Sequence, residues 1–339
     1  MRPYFTAVLA LMLILIAGVP SFAQAAPPVG HGVDLAKQQW NGDALCYSGY
    51  RDGENPDREL FPTERETLAD LNILSKHWQL IRMYGADSHS ERTLKVIREN
   101  HLPIKVMLGV WLSGVAGREA ANKRQLAVAI DLTQRYPDVV AAVSVGNEAL
   151  VSWSDHIMTE AQVIHAVDHV KKMVGCPVTV ADDYLYWIKP DAALVEHVDF
   201  ITLHTYPVWG REDIETGLSS TVANFKKVQL AHPGKTIVLG EVGWPTYSQG
   251  ERHVPRAGDE RKQKRYFEEI TAWARANGVT TFFFEAFDES WKGSGTEGHW
   301  GLFTEDRKAK TAVHDLYPEL KSDRPTSPSY NDVPTQVSK

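Results

Sequence analysis

The segment Ala141–Trp153 reads AAVSVGNEALVSW, and it sets six residues of buried-strand character, Ala141–Gly146, directly against Asn147 and Glu148. Desolvating a carboxylate at the end of an apolar run is costly unless something uses the charge. The run is one of a series. Comparable stretches occur at Asp43–Ser48, Leu80–Tyr84, Ile104–Val110, Val139–Gly146, Val178–Asp182, Val198–His204, Thr236–Glu241 and Thr280–Ala286.

Amphipathic segments separate these runs, among them Glu64–His77, Arg118–Tyr136 and Asp259–Gly278, the last closing on Asn277-Gly278, a good helix stop. Strand and helix in strict alternation argue for βα units and a parallel sheet. A mean repeat of about 34 residues, eight times over, is the size of an α/β single-domain (β/α)8 TIM barrel. The competing doubly wound sheet would carry a Gly-rich phosphate turn after its first strand. Here the first strand leads into CYSGYRDGENPD, which lacks that pattern.

The 339 residues are 43% hydrophobic and 23% charged, ordinary values for a soluble globular domain. A net charge of −7 leaves no basic stripe, so nucleic acid is not an expected partner. Arg2, the apolar run Thr6–Val19 and the small-residue pattern Ala23-Gln24-Ala25 read as an export signal over residues 1–25. The apolar run is about 14 residues, shorter than the roughly 20 needed to span a bilayer, so no membrane association is expected after cleavage. The mature protein is expected to be periplasmic or secreted and monomeric. Its catalytic domain would cover residues 26–320. The Pro/Ser-rich stretch 321–339 reads as a disordered polar tail.

Barrel enzymes build their sites at the C-terminal ends of the strands. Those ends supply Tyr84, Asn147-Glu148, Asp182-Asp183, His204-Thr205-Tyr206, Glu241 and Glu285 to Glu289. Glu148 and Glu241 lie about three βα repeats apart, so both should stand at the same height and approach each other over the barrel mouth. Two carboxylates flanking a bond between sugars are what glycoside hydrolysis requires. One, protonated, donates to the leaving oxygen, while the other, ionised, attacks or supports the anomeric carbon.

With those residues placed, the chain resembles the family 17 glycoside hydrolases, the β-1,3-glucanases. VGNE (Val145–Glu148), GEVGWPT (Gly240–Thr246) and FFEAFDESWKGSGTEGHWGLF (Phe283–Phe303) look like that family's signature blocks, in the family's order. The resemblance implies a retaining (β/α)8 enzyme acting on β-glucan, with Glu148 as acid/base and Glu241 as nucleophile. It also implies a sugar contact for Asn147 and substrate-holding roles for Glu289, Lys292 and Glu297. The loop from Lys292 to Glu297 is shorter than in plant members, and strand 1 reads LCYSGYRDG. These differences bear on chain length and on endo- versus exo-action. Three other readings share the motifs: a transglycosylase using the same intermediate, the same chemistry on another β-linked glycan, and a non-catalytic glucan-binding barrel.

Aromatic side chains behind the strands are candidate sugar platforms. Trp209 and Trp300 are preferred over Trp244 and Trp291, and Tyr84 and Tyr206 are placed at the reaction centre. Tyr206 is expected to offer its hydroxyl to Glu241. Asp182 and Asp183 either line the cleft or cap a helix. His165 and His169 share a helix face far from the strand tops, and neither metal nor cofactor is expected. Cys46 near the top of strand 1 and Cys176 below strand 5 are too far apart for a disulfide.

Overall fold

The computed structural model describes residues 35–37, 43–248 and 253–322. The expected export signal and nearly all of the expected tail lie outside the described residues. Eight strands pair in sequence order, all parallel, and close on themselves through β1 and β8. They are β1 Asp43–Cys46, β2 Leu80–Arg82, β3 Lys105–Val110, β4 Val140–Asn147, β5 Val178–Asp183, β6 Ile201–His204, β7 Ile237–Val242 and β8 Thr281–Phe283. The helices are α1 Glu64–Leu74, α2 Ser88–Glu99, α3 Glu119–Arg135, α4 Glu160–Met173, α5 Tyr184–Trp187, α6 Ile214–Ala231 and α7 Glu260–Asn277.

Alternation along each strand creates two apolar layers. Inward side chains such as Ala44, Cys46, Leu80, Met107, Ala142, Val238 and Phe282 fill the lumen with Leu35 and Phe200. Outward ones such as Val106, Val143, Val180, Leu203 and Leu239 pack against the helices. Local chemistry fixes the helix ends. Thr63 with Glu66 and Thr159 with Gln162 form reciprocal capping boxes that start α1 and α4. Gly278, at φ 64°, stops α7 at the expected place.

Two features depart from eight complete βα units. The β5–β6 connection carries a single α-helical turn, α5, and a 3-10 turn at Ala193–Glu196 in place of a full helix. No α-helix follows β8 among the described residues; 3-10 turns take its place, and the one at Thr311–Val313 packs on α7. There the backbone N–H of Thr311 donates to Glu260 at 2.9 Å. The intervening segment GSGTEGHWG is too rich in glycine to nucleate a helix. Strand 8 is also shorter than expected, because the chain leaves the regular ladder at Phe284. Phe284 N–H still donates to Val242 O at 2.8 Å and Ala286 N–H to Cys46 O at 2.9 Å. Both cysteines are free, as expected, and burial pushes the Cys46 thiol up to about 12. His165 and His169 are exposed on α4.

Candidate active site

At the top of β4 the chain takes an unusual path. Gly146 has φ 96° and Glu148 has φ 45°, a left-handed conformation uncommon for a residue with a side chain. The turn is held by Glu148 N–H donating to Ala181 O at 2.9 Å, and by His156 Nε2, 2.7 Å from Asn147 O. Strain of this kind persists where surroundings over-determine it, and it aims the Glu148 carboxylate into the mouth.

Glu148 and Glu241 meet at the imidazole of His204. His204 Nδ1 lies 3.0 Å from Glu148 Oε1 and 3.4 Å from Glu241 Oε2. One oxygen of each carboxylate and this nitrogen all fall within 4.8 Å of one another. The Tyr206 hydroxyl donates to Glu241 Oε2 at 2.7 Å, while Arg82 NH1 donates to Glu241 Oε1 at 2.5 Å. The other arm of the guanidinium, NH2, donates to Asn147 Oδ1 at 2.6 Å, so one arginine fixes side chains from two strands. It also lies over the Tyr84 ring, 4.7 Å from the centroid.

These contacts decide the charge of Glu241. Burial alone would push its carboxyl up, but His204, Arg82 and the hydroxyl of Tyr206 together outweigh that, and the net shift is below the ordinary carboxylate range. Burial first, then the neighbouring Glu241, pushes the Tyr206 hydroxyl well up, so it remains a proton donor. Beside Glu148, burial raises Asp183 to about 6, against its hydrogen bond from Leu185 N–H, and Glu148 adds to the rise. Asp183 both lines the cleft and caps α5. Asp182, raised to about 8 chiefly by burial, instead accepts from Leu150 N–H at 2.9 Å and braces the loop after β4.

On the strand-8 side, the Lys292 ammonium is clamped between two carboxylates. Its Nζ lies 3.0 Å from Glu285 Oε1 and 2.5 Å from Glu289 Oε2. Burial, then repulsion from Glu289, pushes Glu285 well up despite the lysine. Glu289 is only 1% exposed; it stands behind Lys292 rather than on the cleft wall. Buried polar ties from outside the mouth hold the loops after β7 and β8. Gln263 Nε2 of α7 donates to the carbonyls of Trp244, Trp300 and Gly301 at 3.0–3.1 Å. Lys310 bridges Asp288 at 2.7 Å and Thr246 at 2.8 Å.

Above the carboxylates runs a cleft of about 1350 Å³ whose walls include Tyr84, Asn147, Glu148, Tyr206, Trp209, Glu241, Lys292, Glu297 and Trp300. The two expected sugar platforms differ: Trp209 is half-buried on the cleft wall, whereas Trp300 is 1% exposed and backs that wall, packing against Trp209 with ring centroids 5.9 Å apart and edge-on to Tyr206 at 5.1 Å. Trp291 lines the same cleft. Trp244 does not; it is fully buried, donating from Nε1 to Ala257 O at 2.8 Å. Sequence reasoning overlooked four residues here. Arg82 was signalled by a lone charge inside an apolar strand. His204 and Glu285 were noticed as strand-end residues but given no role. Trp153, 56% exposed on the cleft wall, sits in a loop with no strand-like signal.

Glu148, His204 and Glu241 are close enough to share a cation among the described residues. The guanidinium of Arg82 already supplies positive charge to Glu241, which makes a divalent ion there electrostatically redundant. An ionised acid held beside a second carboxylate at the rim of a parallel barrel, under a long aromatic-walled cleft, defines a glycoside hydrolase. Residues 44–301 match the BtgE/BtgC glycoside hydrolase domain, and the chain belongs to that family.

Among its relatives is a glucan 1,3-β-glucosidase of Arthroderma benhamiae, 29% identical over 259 residues, covering 71% of this chain and 82% of that one. A putative glucan endo-1,3-β-glucosidase of Aspergillus niger is 29% identical over 282 residues, covering 74% of this chain but only 40% of the relative's length. In three dimensions the chain is similar to an endo-laminarinase from Formosa, with a TM-score of 0.73 and 26% identity. That match covers 87% of this chain and 93% of the laminarinase.

Proposed function

We propose that the protein is a retaining, family 17-type glycoside hydrolase that cleaves β-1,3-glucan by double displacement. The observation that carries this reading is the approach of Glu148 and Glu241 to within 4.8 Å through His204. Retaining enzymes hold their carboxyl groups about 5–5.5 Å apart, whereas inverting enzymes leave about 6.5–9.5 Å for a water. The substrate follows from the names of the relatives and the aromatic-walled cleft.

In the first step Glu241, kept ionised by Arg82 and Tyr206, attacks the anomeric carbon. The glycosidic C–O bond breaks and the leaving oxygen takes the Glu148 proton. In the second step the Glu148 carboxylate takes a proton from water, whose oxygen displaces Glu241 from the anomeric carbon. Asn147, held by Arg82, is placed to meet the sugar beside the nucleophile. Lys292 and Glu297 face the same cleft.

A second reading rests on Trp153. This exposed ring lines the cleft in the loop that follows Glu148, where it would offer an acceptor sugar a platform and favour transfer over hydrolysis. The residues 1–25 keep their reading as an export signal.

The test is incubation with linear and branched β-1,3-glucans and with other β-linked polysaccharides, followed by product sizing and NMR of the new anomer. Retained configuration and shortened β-1,3 products are expected, and Glu148→Gln and Glu241→Gln should each reduce turnover by about 10²–10⁴-fold. Inverted product, or full activity in either variant, overturns the assignment. Products longer than the substrate select transglycosylation.

A further inference from the structure

His204 is fully buried and touches both carboxylates through a single nitrogen. Its other nitrogen, Nε2, is buried without a hydrogen-bond partner and lies against Gly240, where an added Cβ would come within 3.4 Å of it. All of the ring's hydrogen bonding is therefore directed at the catalytic pair. Both neighbours of Nδ1 are carboxylate oxygens, but its hydrogen bond goes to Glu148 Oε1 at 3.0 Å, while Glu241 Oε2 at 3.4 Å is a charge contact; whenever Glu148 is ionised Nδ1 is therefore the donor to it. The charged or titratable groups around the ring are Glu148 from β4, Asp183 from β5 and Glu241 from β7. Arg82 and Tyr206 reach it through Glu241.

The demand on this hydrogen bond changes during the reaction. When Glu241 forms its bond to the anomeric carbon, it becomes an ester and loses its charge, while Glu148 has given its proton to the leaving group. The ester oxygen is a poor acceptor, and the new Glu148 carboxylate is a strong one. Building on the retaining reading above, we propose that His204 is a positioning residue that gives its Nδ1–H to Glu148 alone in the glycosyl-enzyme. It orients that carboxylate as the base that takes a proton from water in the second step. When the ester breaks, Glu148 has taken the water's proton and Glu241 has recovered its charge, so the pair is reset for the next cycle. His204 thus serves deglycosylation more than glycosylation.

The test uses the full chain and a 2,4-dinitrophenyl β-laminaribioside. This leaving group departs without a proton, so kcat reports deglycosylation and kcat/KM reports glycosylation. His204→Leu removes the donor, while His204→Asn keeps an amide N–H near the Nδ1 position. The expected result for His204→Leu is a kcat lowered about 10–100-fold with kcat/KM within about threefold of wild type. KM should fall in parallel, and the covalent glycosyl adduct should accumulate in intact-protein mass spectra. Azide, a nucleophile that needs no base, should partly restore kcat, and His204→Asn should recover most of it. Equal losses in kcat and kcat/KM, or no loss in either, would overturn the role of His204 while leaving the retaining mechanism intact. A wild type that shows neither burst nor adduct and yields inverted product would instead sink the mechanism on which the proposal rests.

Discussion

Arg82 is the largest charged group in the lumen, 1% exposed, and its partner Glu241 is 7% exposed. Removing one member of such a buried pair strands the other and costs about 3–5 kcal/mol. Arg82→Met should therefore lower the melting temperature by about 6–20 °C, taking roughly 2–4 °C per kcal/mol for a domain of this size. Part of that loss belongs to the hydrogen bonds to Asn147 Oδ1 at 2.6 Å and Gly240 O at 3.2 Å rather than to the ion pair. A double-mutant cycle separates the two contributions. In a Glu241→Gln background, Arg82→Met should cost only about 1–2 kcal/mol, the value of the remaining hydrogen bonds. The coupling energy, from urea unfolding at neutral pH, should therefore be about 2–3 kcal/mol.

The coupling has a pH signature. Because the folded-state pKa of Glu241 is depressed, its stabilising contribution is present above the unfolded carboxylate value and is lost as pH falls through the folded value. The gap between wild type and Arg82→Met should therefore close only in acid. Additivity within about 0.5 kcal/mol at neutral pH would refute the claim that Arg82 holds the charge of Glu241.

Two further outcomes follow from the same geometry. Glu285 has a raised folded-state pKa, so its contribution is fully present below the unfolded value and is lost as pH rises through the folded one. Glu285→Gln should thus compare more favourably with wild type at pH 8 than at pH 5 in urea midpoints, and an opposite trend would show that Lys292 keeps Glu285 ionised throughout. Trp153→Ala should raise KM about 10-fold on long glucans and much less on short ones, with the melting temperature unchanged because the ring is 56% exposed. A chain-length-independent effect would remove Trp153 from the binding surface.

Much of the barrel was legible because every strand is a short apolar run placed between amphipathic segments, and because a carboxylate stands just past the end of β4 and one residue before the end of β7. Boundaries failed where backbone geometry, not hydropathy, decides them. Apolar Phe284 and Ala286 read as strand, yet the chain leaves the ladder after Phe283. Among the described residues no eighth helix forms, because glycine density after Lys292 overrides the repeat. Within the site, side chains that face a ligand were easier to find than those that serve another side chain. Arg82 looked like an intruder in an apolar strand until Glu241 appeared beside it, 159 positions away. Trp244 and Trp209 illustrate the converse, since nothing in the local sequence separates a tryptophan that ends in the core from one that borders the cleft.

The two flanks of the mouth are secured differently. Beyond β7 and β8, buried side chains of Gln263 and Lys310 pin the loops to a distant helix and to each other. Beyond β3 and β4, the loops meet through main-chain pairs, Gly114 N–H to His156 O at 3.0 Å and Met158 N–H to Ala149 O at 2.8 Å, backed by the side chains of Asn122, His156 and Asp182. A Cβ at position 114 would meet Ile157 O at 2.0 Å, so this seam demands its glycine as firmly as the other flank demands its interior lysine and glutamine. Grafts that lengthen or reshape the groove should therefore spare Gly114, Asn122, His156 and Asp182 on one flank and Gln263 and Lys310 on the other.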